Sequence, residues 1–276
     1  MKAALKKALK KVLRVTGLEA PVRALAFRAI ERQLRSDSFQ SGTELQRVLV
    51  EFSRLYPQAR FVQIGANDGQ LADPLRRHIL KHGWRGILVE PIPHIFAQLK
   101  KNYAGLPNTE GLIFAQVAVS EVDGERSIYR IDAPGNAALL DALTSLSREA
   151  LQIHAANIPD LDKKIVEEKI QSLTFDSLCT QHGFSQLDLV MIDTEGYDYE
   201  ILKIMDLGRY RPAVLIYEHV FLNAADKAEC RKLVESHGYD CVEEDMDTLC
   251  VRRPEAGDAA QASLHQFFLK PGKAGA

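Results

Sequence analysis

Five apolar runs recur from residue 60 onward, and polar, helix-forming stretches separate most of them. They are RFVQIGA (60–66), GILVE (86–90), LIFAQVAVS (112–120), LDLVMID (187–193) and AVLIYEH (213–219). Each is short for a helix and rich in Val, Ile, Leu and Phe, as buried strands are. Strands that alternate with helices pair in parallel, because each crossover helix returns the chain to the same end of the sheet. The expectation is an α/β fold, a mostly parallel sheet with helices on both faces. Ligands of such sheets sit outside the carboxyl ends of the strands. The residues to watch are therefore Gly65–Gly69, Glu90, Ser120, Asp193 with Glu195, and Glu218 with His219.

The connecting stretches carry helix signals. Asp73-Pro74 is a cap and first-turn pair, and predicts a helix to about Lys81. Pro93 opens another to about Tyr103, and further helices are expected over 197–205 and 223–237. ERSIYRID (125–132) is expected to pair antiparallel across the Asp123-Gly124 turn. Residues 133–170 are mixed in character and are expected to be an inserted loop-helix segment covering an acceptor pocket. Its Thr144, Ser145 and Arg148 suit a polyol, and its charges from Asp162 to Lys169 suit a solvated helix. YDCVEE and DTLCVRR predict a closing hairpin, and the Ala- and Gly-rich stretch after Pro254 predicts a loose tail. The domain reading is a helical extension over 1–56, one domain over 57–253, and the tail over 254–276.

The turn FVQIGANDG decides between cofactors. Gly65 and Gly69 are spaced GxxxG, and Asn67 stands where a dinucleotide fingerprint needs its middle glycine for the pyrophosphate. No GKS or GKT completes a phosphate loop. A cofactor without a pyrophosphate fits better, and S-adenosylmethionine is one. Glu90 ends the second strand, where a carboxylate accepts hydrogen bonds from ribose hydroxyls. Taken singly, GxxxG is also a tight turn and Glu90 also a surface acid.

Several stretches together carry a resemblance. FVQIGANDG, LVEPIP, AVSEVDG (118–124), LTSL (143–146) and IDTEGYDYEIL (192–202) resemble the FkbM-type family of S-adenosylmethionine-dependent methyltransferases, over roughly residues 60–220. The resemblance implies a class I, Rossmann-like fold with a seven-stranded sheet. It implies methylation of a hydroxyl on a sugar, glycan or natural product. It makes Gly65, Asn67, Gly69 and Glu90 cofactor contacts, joined by Ala118 and Asp193. Gln63 departs from the acid that class I methyltransferases often carry near the methionine ammonium. Its amide oxygen still accepts a hydrogen bond, and Asp68 or Asp73 is expected to supply the missing carboxylate. Asp73 has its second role as a helix cap.

Methyl transfer from a sulfonium is an in-line displacement, so the protein has to align the acceptor and help its proton leave. Two schemes fit the strand ends. In one, His219 or Glu195 is the base, with Asp193 beside it and no metal. In the other, Asp193, Glu218 and His219 hold a divalent metal such as Mg²⁺, in a pattern similar to the catechol-type O-methyltransferases; imidazole suits softer ions. The first is the preferred expectation. Capping of the following helix is the structural role these acids would otherwise have.

Charge and composition bound the rest. Residues 1–36 hold ten basic and two acidic residues, and the remainder 25 basic against 35 acidic. MKAALKKALKKVLRVTGL sets Leu5, Leu9, Val12 and Thr16 on one helical face and lysines on the other. Such an arm packs on the body, self-associates or lies on anionic lipid. It lacks the uninterrupted apolar run of a secretory leader. With four scattered cysteines and no CxxC pair, neither a zinc site nor a disulfide is expected, and a cytoplasmic location fits. An acidic body without basic-aromatic interleaving argues against nucleic acid. The competing functions are a nicotinamide-dependent oxidoreductase, disfavoured by the absent middle glycine, and a catalytically silent module that binds the cofactor or a membrane-held partner.

Overall fold

In a computed structural model, residues 43–131, 144–154, 158 and 160–270 are described. The arm over 1–36 and most of the first half of the insert lie outside them. The chain runs α1 (Glu44–Leu55), β1 (Arg60–Ile64), α2 (Arg76–His82), β2 (Arg85–Val89), α3 (Pro93–Tyr103), β3 (Leu112–Ala115), β4 (Ala118–Val119), β5 (Gly124–Ile131) and β6 (Thr144–Ser145). It continues through α4 (Leu161–Lys164), β7 (Ile165–Leu173), α5 (Phe175–Gln181), β8 (Leu189–Ile192), α6 (Asp198–Ile204), α7 (Leu207–Tyr210), β9 (Val214–Glu218), α8 (Ala224–Ser236), β10 (Tyr239–Glu244), β11 (Asp247–Arg252) and α9 (Ala259–Phe268).

Seven strands form the main sheet in the order β10-β11-β9-β8-β1-β2-β3. β3, β2, β1, β8 and β9 are mutually parallel, and β11 lies antiparallel between β9 and β10. This is the class I, Rossmann-like arrangement expected from the sequence. The period of two divides the strands between two cores. Val62 and Ile64 join Ile87, Val89, Val190 and Ile192 under α5, α6 and α8. Phe61 joins Leu88, Leu189 and Met191 under α1, α2 and α3. With both faces covered, central strands read as continuous apolar runs.

Several expectations are corrected. LIFAQVAVS is two strands: β3 belongs to the main sheet, and β4 opens a second sheet ordered β4-β7-β5-β6. β5 therefore pairs antiparallel with β7 and not with β4 (Ser127 faces Lys169 and Ile131 faces Ile165). The charge run 162–169 is helical only to Lys164, and its remainder is strand. Alternating charge repeats every two residues as well as on a helix face, so it suits the exposed side of β7. Within the tail, the described residues are not loose: α9 packs on α1, with Leu264 and Gln261 fully buried. α1 is itself core, since Val48, Leu49 and Phe52 are fully buried, and a boundary at 56/57 would cut that core. Lastly, Cys241 and Cys250 face each other across the β10–β11 hairpin, with Cα atoms 4.1 Å apart, and form a disulfide. Scattered in sequence, they become neighbours through strand register. No helix among the described residues is long and apolar enough to cross a membrane.

Candidate active site

A cleft opens at the carboxyl ends of β1, β2 and β8. The second sheet roofs it through Ala118, Ile128, Thr144 and Ser145, and Ile64, Val89 and Met191 help to line it. Of the insert over 133–170, Thr144, Ser145 and Leu146 are the described residues that line the cleft. Arg148 points elsewhere, 3.3 Å from Asp162 at the surface.

The turn after β1 is built around Glu90. Gly65 has φ +78°, and a Cβ there would sit 1.7 Å from the carbonyl oxygen of Asp193. Only glycine lets β1 and β8 leave the sheet this close together. Asn67 follows at φ 47°, and its N–H donates to Glu90 Oε2 at 3.2 Å. The Ile92 N–H donates to Glu90 Oε1 at 2.9 Å. Glu90 is 6% exposed. Burial pushes its carboxyl up to about 7, against the pull of those two amides. Gly69 does not line the cleft. Its Cβ would meet Leu99 Cδ1 and Tyr103 Cε2 at 2.6 Å, so it admits α3 to the turn and its assignment as a cofactor contact is corrected.

Gln63 and Asp73 form one unit on the cleft wall. Gln63 Nε2 donates to Asp73 Oδ1 at 3.2 Å. The same oxygen accepts from the Leu75 and Arg76 amides at 2.8 and 3.3 Å. Asp73 thus holds the turn before α2 and lines the cleft; its expected place as helix cap is corrected, since α2 starts at Arg76 with Leu75 as its N-cap and no side-chain cap bond. Asp68 is absorbed by the Gln70 and Leu71 amides and is not among the lining residues. Gln63 Oε1 is buried without a hydrogen-bond donor, an acceptor suited to a ligand's N–H.

At the far end, Asp193 and Glu195 follow β8 and line the cleft. Glu195 has φ 54°, a conformation that costs an ordinary residue about 1–2 kcal/mol. Such strain persists where the surroundings impose it, often at functional sites. Glu218 ends β9, and one oxygen from each of these three acids lies within 4.8 Å of the others. Burial raises the carboxyls of Asp193, Glu195 and Glu218, and their mutual repulsion raises Glu195 and Glu218 further. Asp198, 0% exposed, ties the two loops together. It accepts from Thr194 Oγ1 at 2.9 Å, the Gly196 N–H at 3.4 Å and the Glu218 N–H at 3.2 Å.

The structure separates His219 from this group. It is 8% exposed, its Nδ1 is 3.0 Å from Thr248 Oγ1, and its Nε2 is 3.9 Å from Glu243. It does not line the cleft, and Glu195 replaces it in the three-acid group. β9 alternates sides, so Glu218 and its successor cannot both turn to Asp193. Asp198 and Asp247 escaped the sequence reading. Asp198 lies inside the IDTEGYDYEIL stretch, where its place in the first turn of a helix suggested only capping. Asp247, which burial and the nearby Asp193 and Asp198 raise, comes from the hairpin, and no spacing links it to the site.

Among the described residues lining the cleft are four acids, Asp73, Glu90, Asp193 and Glu195, and no Lys, Arg or His. It is a site for a cation or a neutral polar ligand, and a poor one for a pyrophosphate.

Residues 63–241 match the family model described as the methyltransferase FkbM domain. Solved structures similar to the chain include methyltransferase FkbM from Methylobacillus flagellatus KT (12% identity, 88% of this chain and 57% of that one, TM-score 0.43). Human methyltransferase 10 domain containing protein matches at 12% identity over 83% of this chain and 97% of that one, TM-score 0.43. An RNA methyltransferase from Salinibacter ruber, in complex with S-adenosyl-L-homocysteine, matches at 11% over 78% and 94%, TM-score 0.37. No curated protein sequence matches the chain significantly.

Proposed function

The chain belongs to the FkbM methyltransferase domain family, and from that premise we propose that it transfers a methyl group from S-adenosylmethionine to a hydroxyl of a sugar, glycan or natural product. The observation that carries this reading is the charge of the cleft, four acids and no base among the described lining residues. S-adenosylmethionine brings a sulfonium and an ammonium to such a cleft, whereas a nicotinamide dinucleotide would bring a pyrophosphate into it. Glu90, oriented by the Asn67 and Ile92 amides, is placed to accept the ribose hydroxyls. Gln63 Oε1 and Asp73 suit the ammonium. When bound, the cofactor supplies the electrophilic methyl.

The chain's own residues then have three tasks. Ile128, Thr144 and Ser145 cover the cleft and limit water. Thr144 and Ser145 offer hydroxyls to a polyol. The Asp193–Glu195 end, where burial raises both carboxyls and both line the cleft, is where the acceptor hydroxyl would lose its proton. His219, turned to Thr248 and Glu243, takes no part in that step.

Calorimetric titration of the full chain with S-adenosylhomocysteine and, separately, with NADH tests the cofactor. The first is expected to bind and the second not. Binding of NADH alone would sink the proposal. Incubation with methyl-labelled cofactor and glycan or metabolite fractions from the source cell, followed by base-stable label in a methyl ether, tests the acceptor class.

A further inference from the structure

The three acids at the ends of β8 and β9 are held by backbone that leaves them little freedom. Asp193 N–H donates to Ile64 O at 3.0 Å. Glu195 sits in its constrained loop, and Glu218 is the last residue of a fully buried strand. Two observations separate them from an ordinary acidic patch. Glu218 is 3% exposed, and its Oε2 is sealed from solvent without a hydrogen-bond donor; Glu195 Oε2 is sealed and donorless as well. A buried acceptor left without a partner costs about 1–3 kcal/mol, and here the side chains converge on one another instead of turning to amides. Asp198 has its oxygens engaged by Thr194, Gly196 and Glu218, so it fixes the loops and leaves the three-acid group intact. Among the described residues, none of Asp193, Glu195 and Glu218 has a basic partner in an ion pair.

We propose that Asp193, Glu195 and Glu218 bind one divalent cation of the Mg²⁺ or Mn²⁺ kind, and that this ion receives an oxygen of the methyl acceptor. The inference rests on the methyltransferase reading and deepens it. An all-carboxylate set selects hard, oxygen-seeking ions. Adjacent ligands of a Mg²⁺-sized ion lie about 2.9 Å apart and opposite ones about 4.2 Å, so oxygens within 4.8 Å of one another would draw together by side-chain rotation to hold it. Three protein ligands leave three positions of an octahedron for acceptor and water. An acceptor with two adjacent oxygens, a vicinal diol or a hydroxy-carbonyl, fills two of them. That narrows the substrate class from hydroxyls in general to chelating ones. Such an ion would make the acceptor hydroxyl easier to deprotonate, with water taking the proton; methyl transfer would then form the carbon–oxygen bond as the carbon–sulfur bond breaks, giving a methyl ether and S-adenosylhomocysteine with no redox change.

The test titrates Mn²⁺ into the full wild-type chain and counts free ion by electron paramagnetic resonance, with S-adenosylhomocysteine titrated in parallel by calorimetry. One Mn²⁺ per chain is expected, and a higher melting temperature with Mn²⁺ present. Glu218→Gln is expected to weaken Mn²⁺ binding by at least about 10-fold and to leave S-adenosylhomocysteine affinity nearly unchanged, because Glu218 does not line the cleft. Glu195→Gln, read for Mn²⁺ alone, decides if Glu218→Gln does not fold. Wild-type chain that binds S-adenosylhomocysteine but no Mn²⁺ at millimolar concentration would overturn the cation site and leave the methyltransferase reading standing. Binding of neither overturns the reading beneath it. Unchanged Mn²⁺ affinity in the variant places the ion elsewhere and also overturns the proposal.

Discussion

Gln63 shows how one residue's identity follows from its neighbours. An acid at this position would face Asp73, whose Oδ1 is 3.2 Å from Gln63 Nε2. Both positions are nearly buried, at 2% and 6% exposure, and two carboxyls in such a place cannot both ionise cheaply. Gln63 instead donates to Asp73 and leaves the charge there. Gln63→Glu is therefore expected to lower stability at about pH 8 by roughly 1–3 kcal/mol, with a smaller loss near pH 5, since burial raises Asp73 and a second acid beside it makes the pair take up a proton more readily as pH falls. Thermal melts at the two pH values check this; equal losses would mean that the two side chains do not share charge. Gly69 leads to a different expectation. Its φ of +67° and the contact with Leu99 and Tyr103 make it a packing residue, so Gly69→Ala should cost at least the ~1–2 kcal/mol of a left-handed non-glycine. If Gly69→Ala retains the wild-type melting temperature and loses only S-adenosylhomocysteine, Gly69 touches the cofactor after all.

At the scale of elements, what could be read from sequence was what local physics decides. β1, β2, β8 and β9 are buried on both faces, so their apolar runs admit no other reading. Pro93 and Asn223 mark helix starts that the structure keeps at Pro93 and Ala224. What stayed hidden depends on partners distant in sequence. β4 separates from β3 only because Ala118 pairs with Ser172, and Cys241 meets Cys250 only through hairpin register. In the candidate site, Asp193, Glu195 and Glu90 were legible as strand-end acids; that Glu218 and not His219 turns toward them is set by strand alternation and by Thr248 on the neighbouring strand. α9 was hidden by composition, since Ala-rich sequence has helix propensity but little apolar area to announce burial. Its role is visible in Gln261, which accepts from Tyr56 Oη at 2.8 Å and donates to Ala213 O at 3.3 Å, and in Leu264, 0% exposed over α1. Leu264→Ala is expected to cost about 2–5 kcal/mol, measured by urea denaturation. A loss below about 0.5 kcal/mol, the size of an ordinary surface substitution, would show that α9 does not hold α1 in solution.

Over the whole molecule the charge is unevenly stored. The body carries its acid excess partly inside, at the carboxyl edge of the sheet, where Glu90, Asp193, Glu195, Asp198, Glu218 and Asp247 all have carboxyls raised by burial. A carboxyl raised in the folded state binds its proton more tightly there than in the unfolded chain. Its stabilising effect is complete below the unfolded value and is lost as pH rises to the folded one. For Glu90 that window runs from 4.5 to about 7, and at ~1.4 kcal/mol per unit the loss is on the order of 3 kcal/mol. The ligand-free chain is thus expected to melt at a lower temperature near pH 8 than near pH 5, opposite to a protein whose carboxylates are stabilised by ion pairs. Glu90→Gln removes one buried charge and keeps the shape. It should flatten this dependence and raise the melting temperature near pH 8, while weakening S-adenosylhomocysteine by at least about 10-fold, the worth of one charge-assisted hydrogen bond. The two effects pull in opposite directions, which a merely damaged fold cannot reproduce. A variant that is less stable than wild type near pH 8 would show that Glu90 is a structural acid, satisfied by the Asn67 and Ile92 amides and needing no ligand.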